Sequence, residues 1–312
     1  MTPQHLSRPG RFVRALALAA VALGACVTRA GAAVSVDGPQ FVPPVPQHSF
    51  VYDCDAGSGC SLYDANASFQ VTYNSPLQPC GGGNASTDAG YWYVTACNST
   101  VQVFRTTSRG PVLKQTLTTE SGSVNFDVAV ARLTNLIAVS NLTTGASGPG
   151  RVDVFAGGAT TPSYSLTAPG AAQGYEVTFD NTGNCYWHYR DASAADHLVK
   201  FSSCGGTATD LGIGYVAGIQ FDGMQNLYYT SGNALYRCTG TTNCAALVTG
   251  GASSSFGGFG FTKGFKALWF GDTATGTIYA IDPKSGRVKG ASSIGAGVSP
   301  RFVSPGHGTE SA

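Results

Sequence analysis

Apolar and polar positions alternate along this chain in short runs that end on a recurring phenylalanine. Val-Asn-Phe-Asp at 124–127, Val-Thr-Phe-Asp at 177–180 and Ile-Gln-Phe-Asp at 219–222 each close an apolar segment. Gly-Phe-Thr at 260–262 and Arg-Phe-Val-Ser at 301–304 continue the series without the aspartate. From Phe179 onward the phenylalanines stand 42, 40 and 41 residues apart, whereas the interval from Phe126 to Phe179 is longer. Alternation over a few residues marks a half-buried strand, and self-similarity at a fixed period marks a repeat architecture.

Each unit keeps an internal order. A polar turn follows the Phe-Asp pair, as in Asn181-Thr182-Gly183-Asn184 and Gly223-Met224-Gln225-Asn226. An aromatic strand comes next, at 185–189, 227–230 and 267–270. A third strand is carried by 101–104, 152–155, 198–201 and 277–281, and a weaker fourth by 163–166. Four short strands per unit of about 40 residues is the arithmetic of a propeller blade, which buries its faces only by stacking on neighbours in a ring. The expected fold is therefore all-β, a β-propeller of about six four-stranded blades, with seven also compatible.

The unit resembles the NHL and SMP-30-like propeller repeat of exported bacterial proteins, in which a strand ending in Phe-Asp precedes Gly-Asn-Leu-Tyr. Asp180 with Gly183-Asn184-Cys185-Tyr186, and Asp222 with Asn226-Leu227-Tyr228, carry the resemblance. It covers residues 120–305 well and 48–120 poorly. What it implies is architecture, because these residues build turns and blade contacts. The segment 300–305 matches only the first strand of a unit, while 49–53 resembles a second strand. A blade shared between the two ends of the chain is thus expected to close the ring, within one propeller domain at 48–305 followed by a tail at 306–312.

Residues 1–32 read as a signal peptide. Arg8, Arg11 and Arg14 precede an apolar stretch from Ala15 to Ala25 that is too short to span a bilayer. Two cleavage routes fit: Leu23-Gly24-Ala25-Cys26 resembles a lipobox, with Cys26 lipidated, and Ala30-Gly31-Ala32 resembles an ordinary small-residue site. Residues 33–47, with Pro39, Pro43, Pro44 and Pro46, read as an extended linker. The expected location is secreted or cell envelope, with a membrane met only through a lipid anchor at Cys26.

Composition narrows the partners. Charged residues make up 11% of the chain and the net charge is +1, so no electrostatic footprint for nucleic acid exists. Beyond Cys26 eight cysteines remain, an even number that in an exported chain points to disulfides. Cys185 with Cys204, Cys238 with Cys244, and Cys54 with Cys60 each bracket a hairpin or turn, which leaves Cys80 with Cys97.

Candidate chemistry is sparse. Asp127, Asp180 and Asp222 are read as caps of the turns after inner strands rather than as metal ligands. The densest polar and aromatic group is Trp187, His188, Tyr189, Arg190 and Asp191, with Asp196 and His197 close behind. It lies where a second strand passes to a third, and the preceding unit has a long loop, 141–151, at the equivalent place. These residues are the candidate ligand site. No catalytic residue, metal ligand or cofactor is assigned, since neither His-Glu-x-x-His nor Gly-x-Ser-x-Gly occurs. The expected function is a non-catalytic binding or scaffold protein for an unknown protein, glycan or small ligand. The alternative is a metal-dependent, lactonase-like hydrolase or lyase working in the propeller channel.

Overall fold

The computed structural model describes residues 34–35, 49–55, 59–63, 69–73, 83–87, 89–96, 99–107, 110–145, 147–293 and 302–307. The expected leader at 1–32, with Cys26, and most of the expected linker lie outside them. The chain begins with β1 (Val34–Ser35), β2 (Ser49–Asp55), β3 (Gly59–Tyr63) and β4 (Phe69–Tyr73). Next come β5 (Asn84–Ser86), β6 (Tyr91–Ala96), β7 (Thr100–Thr107) and β8 (Gly110–Thr118). Then follow β9 (Val124–Val130), β10 (Leu136–Thr143), β11 (Arg151–Ala156) and β12 (Tyr164–Leu166). The third quartet is β13 (Ala171–Phe179), β14 (Cys185–Asp191), β15 (Asp196–Phe201) and β16 (Ala208–Asp210). The fourth is β17 (Gly218–Phe221), β18 (Leu227–Ser231), β19 (Ala234–Thr239) and β20 (Thr242–Thr249). Last are β21 (Phe256–Phe261), β22 (Leu268–Asp272), β23 (Thr277–Ile281), β24 (Val288–Ser293) and β25 (Phe302–His307).

These strands make five hydrogen-bonded sheets, each built around an antiparallel meander. Three have four strands. In the fourth, β1 of the expected linker adds to the outer edge by pairing in parallel with β20. The fifth has eight strands in the order β24-β23-β22-β21-β25-β2-β3-β4. The two ends of the chain meet there, β25 pairing antiparallel with β2 from Ser49↔His307 to Cys54↔Phe302. The expectation of about six blades, with seven also compatible, is thereby corrected to five. A parallel bridge between Gly258 of β21 and Phe302 of β25 joins the last repeat and the terminal strands, read from sequence as two units, into one sheet.

Alternation along the second strand of each meander builds the core on both faces. In β14, Trp187 packs with Val152, Val154 and Leu166 of the preceding sheet, whereas Tyr186 packs with Ile219 and Phe221 of the following one. Tyr228 of β18 and Phe270 of β22 repeat this one sheet further on. Trp92, Trp187, Tyr228, Phe201 and Phe270 are wholly buried, and each such burial stabilises the ring by roughly 1.5–3 kcal/mol or more.

The turns after inner strands are built by aspartate where expected. Asp180 Oδ1 accepts from the backbone N–H of Thr182 and Asn184, and its Oδ2 accepts from Asn184 Nδ2 and the Tyr186 hydroxyl. Asp222 does the same for Met224, Asn226 and Tyr228. Asp127 does not. It lies inside β9 opposite Ser140, and the equivalent turn starts at Ala131, whose N–H donates to Leu136 O. The Phe126-Asp127 pair is therefore four residues out of phase with Phe179-Asp180, which accounts for part of its longer interval.

Among the described residues two disulfides are present, Cys185–Cys204 and Cys238–Cys244, with Cα separations of 4.6 and 3.9 Å. Cys204 is not opposite Cys185 in the ladder as expected. Phe201 takes that place, and Cys204 reaches back from the one-turn 3-10 helix Ser202–Cys204. Cys54 and Cys60 are register partners on the backbones of β2 and β3. Their side chains, and Cys80 and Cys97, lie outside the described residues.

Candidate binding site in the channel

Counting back from the first turn hydrogen bond of each unit aligns the inner strands. Ala131, Asp180, Asp222 and Thr262 each donate a backbone N–H to the start of the next strand. Four residues earlier stand Asp127, Glu176, Gly218 and Gly258. On the second strands Ser140 is the register partner of Asp127 and Thr230 that of Gly218, while His188 meets Glu176 by its side chain. The backbones converge at this level, and a Cβ on Gly218 would stand 2.7 Å from the Gly258 Cα. The general solution here is small and neutral. Thr230 Oγ1 donates to Gly257 O at 2.8 Å, and in the first meander Thr95 Oγ1 donates to Gly83 O at 3.2 Å.

The β13–β14 pair departs from that solution. His188, fully buried, has Nδ1 at 2.5 Å from Glu176 Oε2 and Nε2 at 3.2 Å from Asp196 Oδ1. Each ring nitrogen thus has a carboxylate oxygen as its partner. Arg190 completes the outer end by a two-point contact with Asp196, both distances 3.1 Å. Tyr175 stacks on the imidazole at 5.2 Å, the Arg190 guanidinium lies 5.4 Å from the Tyr175 ring, and Tyr215 meets the imidazole edge-on.

Asp127 stands one sheet away at the level of Glu176. Its Oδ2 accepts from the Val177 N–H at 3.0 Å, an amide within the irregular stretch of the β13–β14 ladder between Gly174 and Val177. Burial, with a smaller contribution from the Glu176 charge, pushes its pKa up to about 8 against the opposing pull of that hydrogen bond. At neutral pH this carboxyl is therefore mostly protonated.

The sequence-derived candidates fall into two groups. Trp187, wholly buried, donates from Nε1 to Ser140 Oγ at 2.9 Å, and Tyr189 donates to Pro169 O, so both serve packing between sheets. His188 and Arg190 belong to the buried chain of contacts just described. His197, expected in a loop, stands in β15, stacked on Tyr189 at 5.0 Å. Its Nδ1 lies 2.8 Å from Asp210, whose hydrogen bond is the main cause that raises its pKa above the ordinary histidine value. Asp191 caps the tight turn to β15. Hydrogen bonds from Ser193 and Ala195 lower its carboxyl pKa to about 2. The loop expected at 141–151 is shorter, because β10 runs to Thr143 and a Thr144↔Gly148 bridge folds the remainder. Asn141, which opens an Asn-Leu-Thr acceptor sequence, is fully buried and donates to Asp153.

A cavity of about 460 Å³ opens at the other end of the inner strands, beside the Asp-capped turns. Thr178 and Gln220 line it from positions equivalent to Ala129 and Gly260, which also line it but leave room. Tyr91 and Tyr93 supply a wall from β6, and Asn135 and Arg132 stand at the rim. A bar crosses near this mouth. Phe265 lies against Gly223, where a Cβ would come within 2.9 Å of the ring, and its face carries the Arg132 guanidinium at 4.3 Å. Phe265 holds φ at +57°, a conformation costing of order 1 kcal/mol or more for a bulky side chain. Nothing in the sequence pattern had singled out Gln220, Thr178, Arg132 or Phe265.

Among solved structures, a chain from the crystal structure of a nidogen/laminin complex superposes over 83% of this chain and 98% of its own length, with a TM-score of 0.59 at 14% identity. The fold is a β-propeller. At that identity the likeness extends to architecture alone. No protein-family model matches the sequence, and no curated protein matches it either. Among the described residues of the propeller, no helix is long and apolar enough to cross a membrane, and its two disulfides suit an oxidising, extracellular setting.

Proposed function

We propose that this chain is an exported, non-catalytic binding propeller whose ligand enters the cavity beside the capped turns. The cavity carries the reading: it combines amides and hydroxyls with aromatic walls at one channel mouth, and the carboxylate among its described lining residues, Asp180, is already engaged by Thr182, Asn184 and Tyr186. Ligand pockets have this make-up, with a few placed polar groups on a largely preformed surface. The Phe-Asp units at 179–186 and 221–228 support an NHL/SMP-30-like repeat as the scaffold. Secretion, with or without a lipid on Cys26, accords with the disulfides.

The lactonase-like alternative requires a cation held by oxygen donors converging from several blades. At the level of Glu176 the equivalent positions are Asp127, Gly218 and Gly258, and Glu176 is committed to His188. That donor set does not suit a hard cation, so we derive no reaction step through a metal. Metal analysis of the purified protein, together with a thermal-shift screen of small ligands, tests the proposal. Substoichiometric metal with a ligand-induced rise in Tm is the expected result. Stoichiometric calcium or zinc with hydrolysis of a lactone would overturn it.

A further inference from the structure

We infer that the channel cavity takes the end of a neutral saccharide, one pyranose unit held by its hydroxyls; this rests on the cavity being the binding site. The floor is polar but uncharged. Gln220 and Thr178 present an amide and a hydroxyl beside the small residues Ala129 and Gly260. A primary amide offers an acceptor oxygen and two donor hydrogens in one plane, a pattern answered by neighbouring hydroxyls that each donate and accept.

A charged ligand finds less to meet. Among the described lining residues the carboxylate is Asp180, and its own turn engages it. The Arg132 guanidinium lies over the Phe265 ring and that of Arg105 over the Tyr91 ring, so both are engaged by aromatic faces. The wall completes the match. Tyr91 and Tyr93 are half-buried and two residues apart on β6, hence on the same face of the strand; Arg105 lies over the Tyr91 ring at 4.9 Å, and Tyr93 adds flat apolar surface beside a polar hydroxyl. The C–H face of a sugar ring can lie on such a wall while its hydroxyls reach the floor. A lipid or a purely apolar ligand is disfavoured, since Phe179, Phe221, Phe259 and Phe261 are each less than one-tenth exposed and spend their rings between sheets. A volume of about 460 Å³ holds one ring and part of a second.

The test is saturation-transfer NMR, followed by titration calorimetry, on the full chain with three probe sets. These are methyl glycosides of neutral hexoses and N-acetylhexosamines, the charged sugars glucuronate and glucosamine, and N-acetylated tetrapeptides. Wild type is compared with Gln220→Leu and Thr178→Val, each checked for an unchanged Tm, so that failure of one variant to fold leaves the other. The expected result is saturable binding of a neutral glycoside, weakened about tenfold or more in either variant by loss of hydrogen bonds to the sugar. Variant-sensitive binding of peptides or charged sugars, with none of neutral glycosides, would overturn the inference and leave the cavity as a binding site. Absence of any variant-sensitive binding would overturn both.

Discussion

Replacing Asp127 by asparagine should remove a pH dependence of stability that the wild-type propeller carries. The Asp127 carboxyl is buried in β9, accepts from Val177 N–H across the sheet boundary, and titrates near pH 8 because burial and then Glu176 oppose its charge. In the unfolded chain the same group titrates near the ordinary aspartate value of about 3.9. The native state thus holds one more proton than the unfolded state between these limits. The stability linked to that proton is fully present below about pH 4 and is lost as pH rises toward 8. A displacement of roughly four pH units, at 1.36 kcal/mol per unit, sets a ceiling on the order of 5 kcal/mol. Relaxation and water entry reduce what is measured, so about 2–3 kcal/mol is the working expectation. Asparagine keeps the acceptor oxygen for Val177 and cannot ionise. Urea denaturation of both proteins at several pH values from 4.5 to 8.5, disulfides intact, gives the comparison. The difference curve should grow with pH, and Asp127→Asn should be the more stable protein at pH 8.5. Parallel profiles, or a variant weaker at every pH, would refute the reasoning.

Three further outcomes follow from the same contacts. His188→Thr, which copies Thr230, should cost about 3–5 kcal/mol by leaving Glu176 buried without its partner, and Glu176→Gly/His188→Thr should recover much of that, a coupling that chemical denaturation of both single variants and the double variant measures. His197 has its pKa raised chiefly by Asp210, so its contribution is present below the unfolded value near 6.5 and fades above it; being partly exposed, it should lose less than about 1 kcal/mol at pH 5.5 and nothing at pH 8.5 on His197→Gln. Removing the Cys185–Cys204 bridge, with its 19-residue separation, should cost about 3 kcal/mol and removing Cys238–Cys244, with 6, somewhat less; the order of the two Tm losses checks this.

Local chemistry explains what was legible from sequence. Asp180 and Asp222 bond to groups two and four residues away, so a short window contains the whole motif. The same rule misled at Asp127, because an identical Phe-Asp pair sits four residues before its own turn. The unusual 53-residue interval to Phe179 was the available sign. The contact of Glu176 with His188 depends on strand register and on the irregularity between Gly174 and Val177, neither of which a sequence window displays. Aligning Tyr-Trp-His-Tyr at 186–189 with Tyr-Tyr-Thr at 228–230 does reveal His188 where another unit has threonine. The cavity was out of reach, since it is lined from several meanders whose spacing is set by the ring. The joining of β21 with β25 was equally hidden, since it rests on a bridge between residues 44 positions apart.

Hydrogen–deuterium exchange with and without the tightest-binding neutral glycoside tests the central claim most directly, because it reports which end of the channel the ligand meets. Added protection at 129–132, 178–181 and 220–221 is predicted, with no change at 187–197. Protection confined to 187–197 and 141–151, at the opposite mouth, would contradict the account.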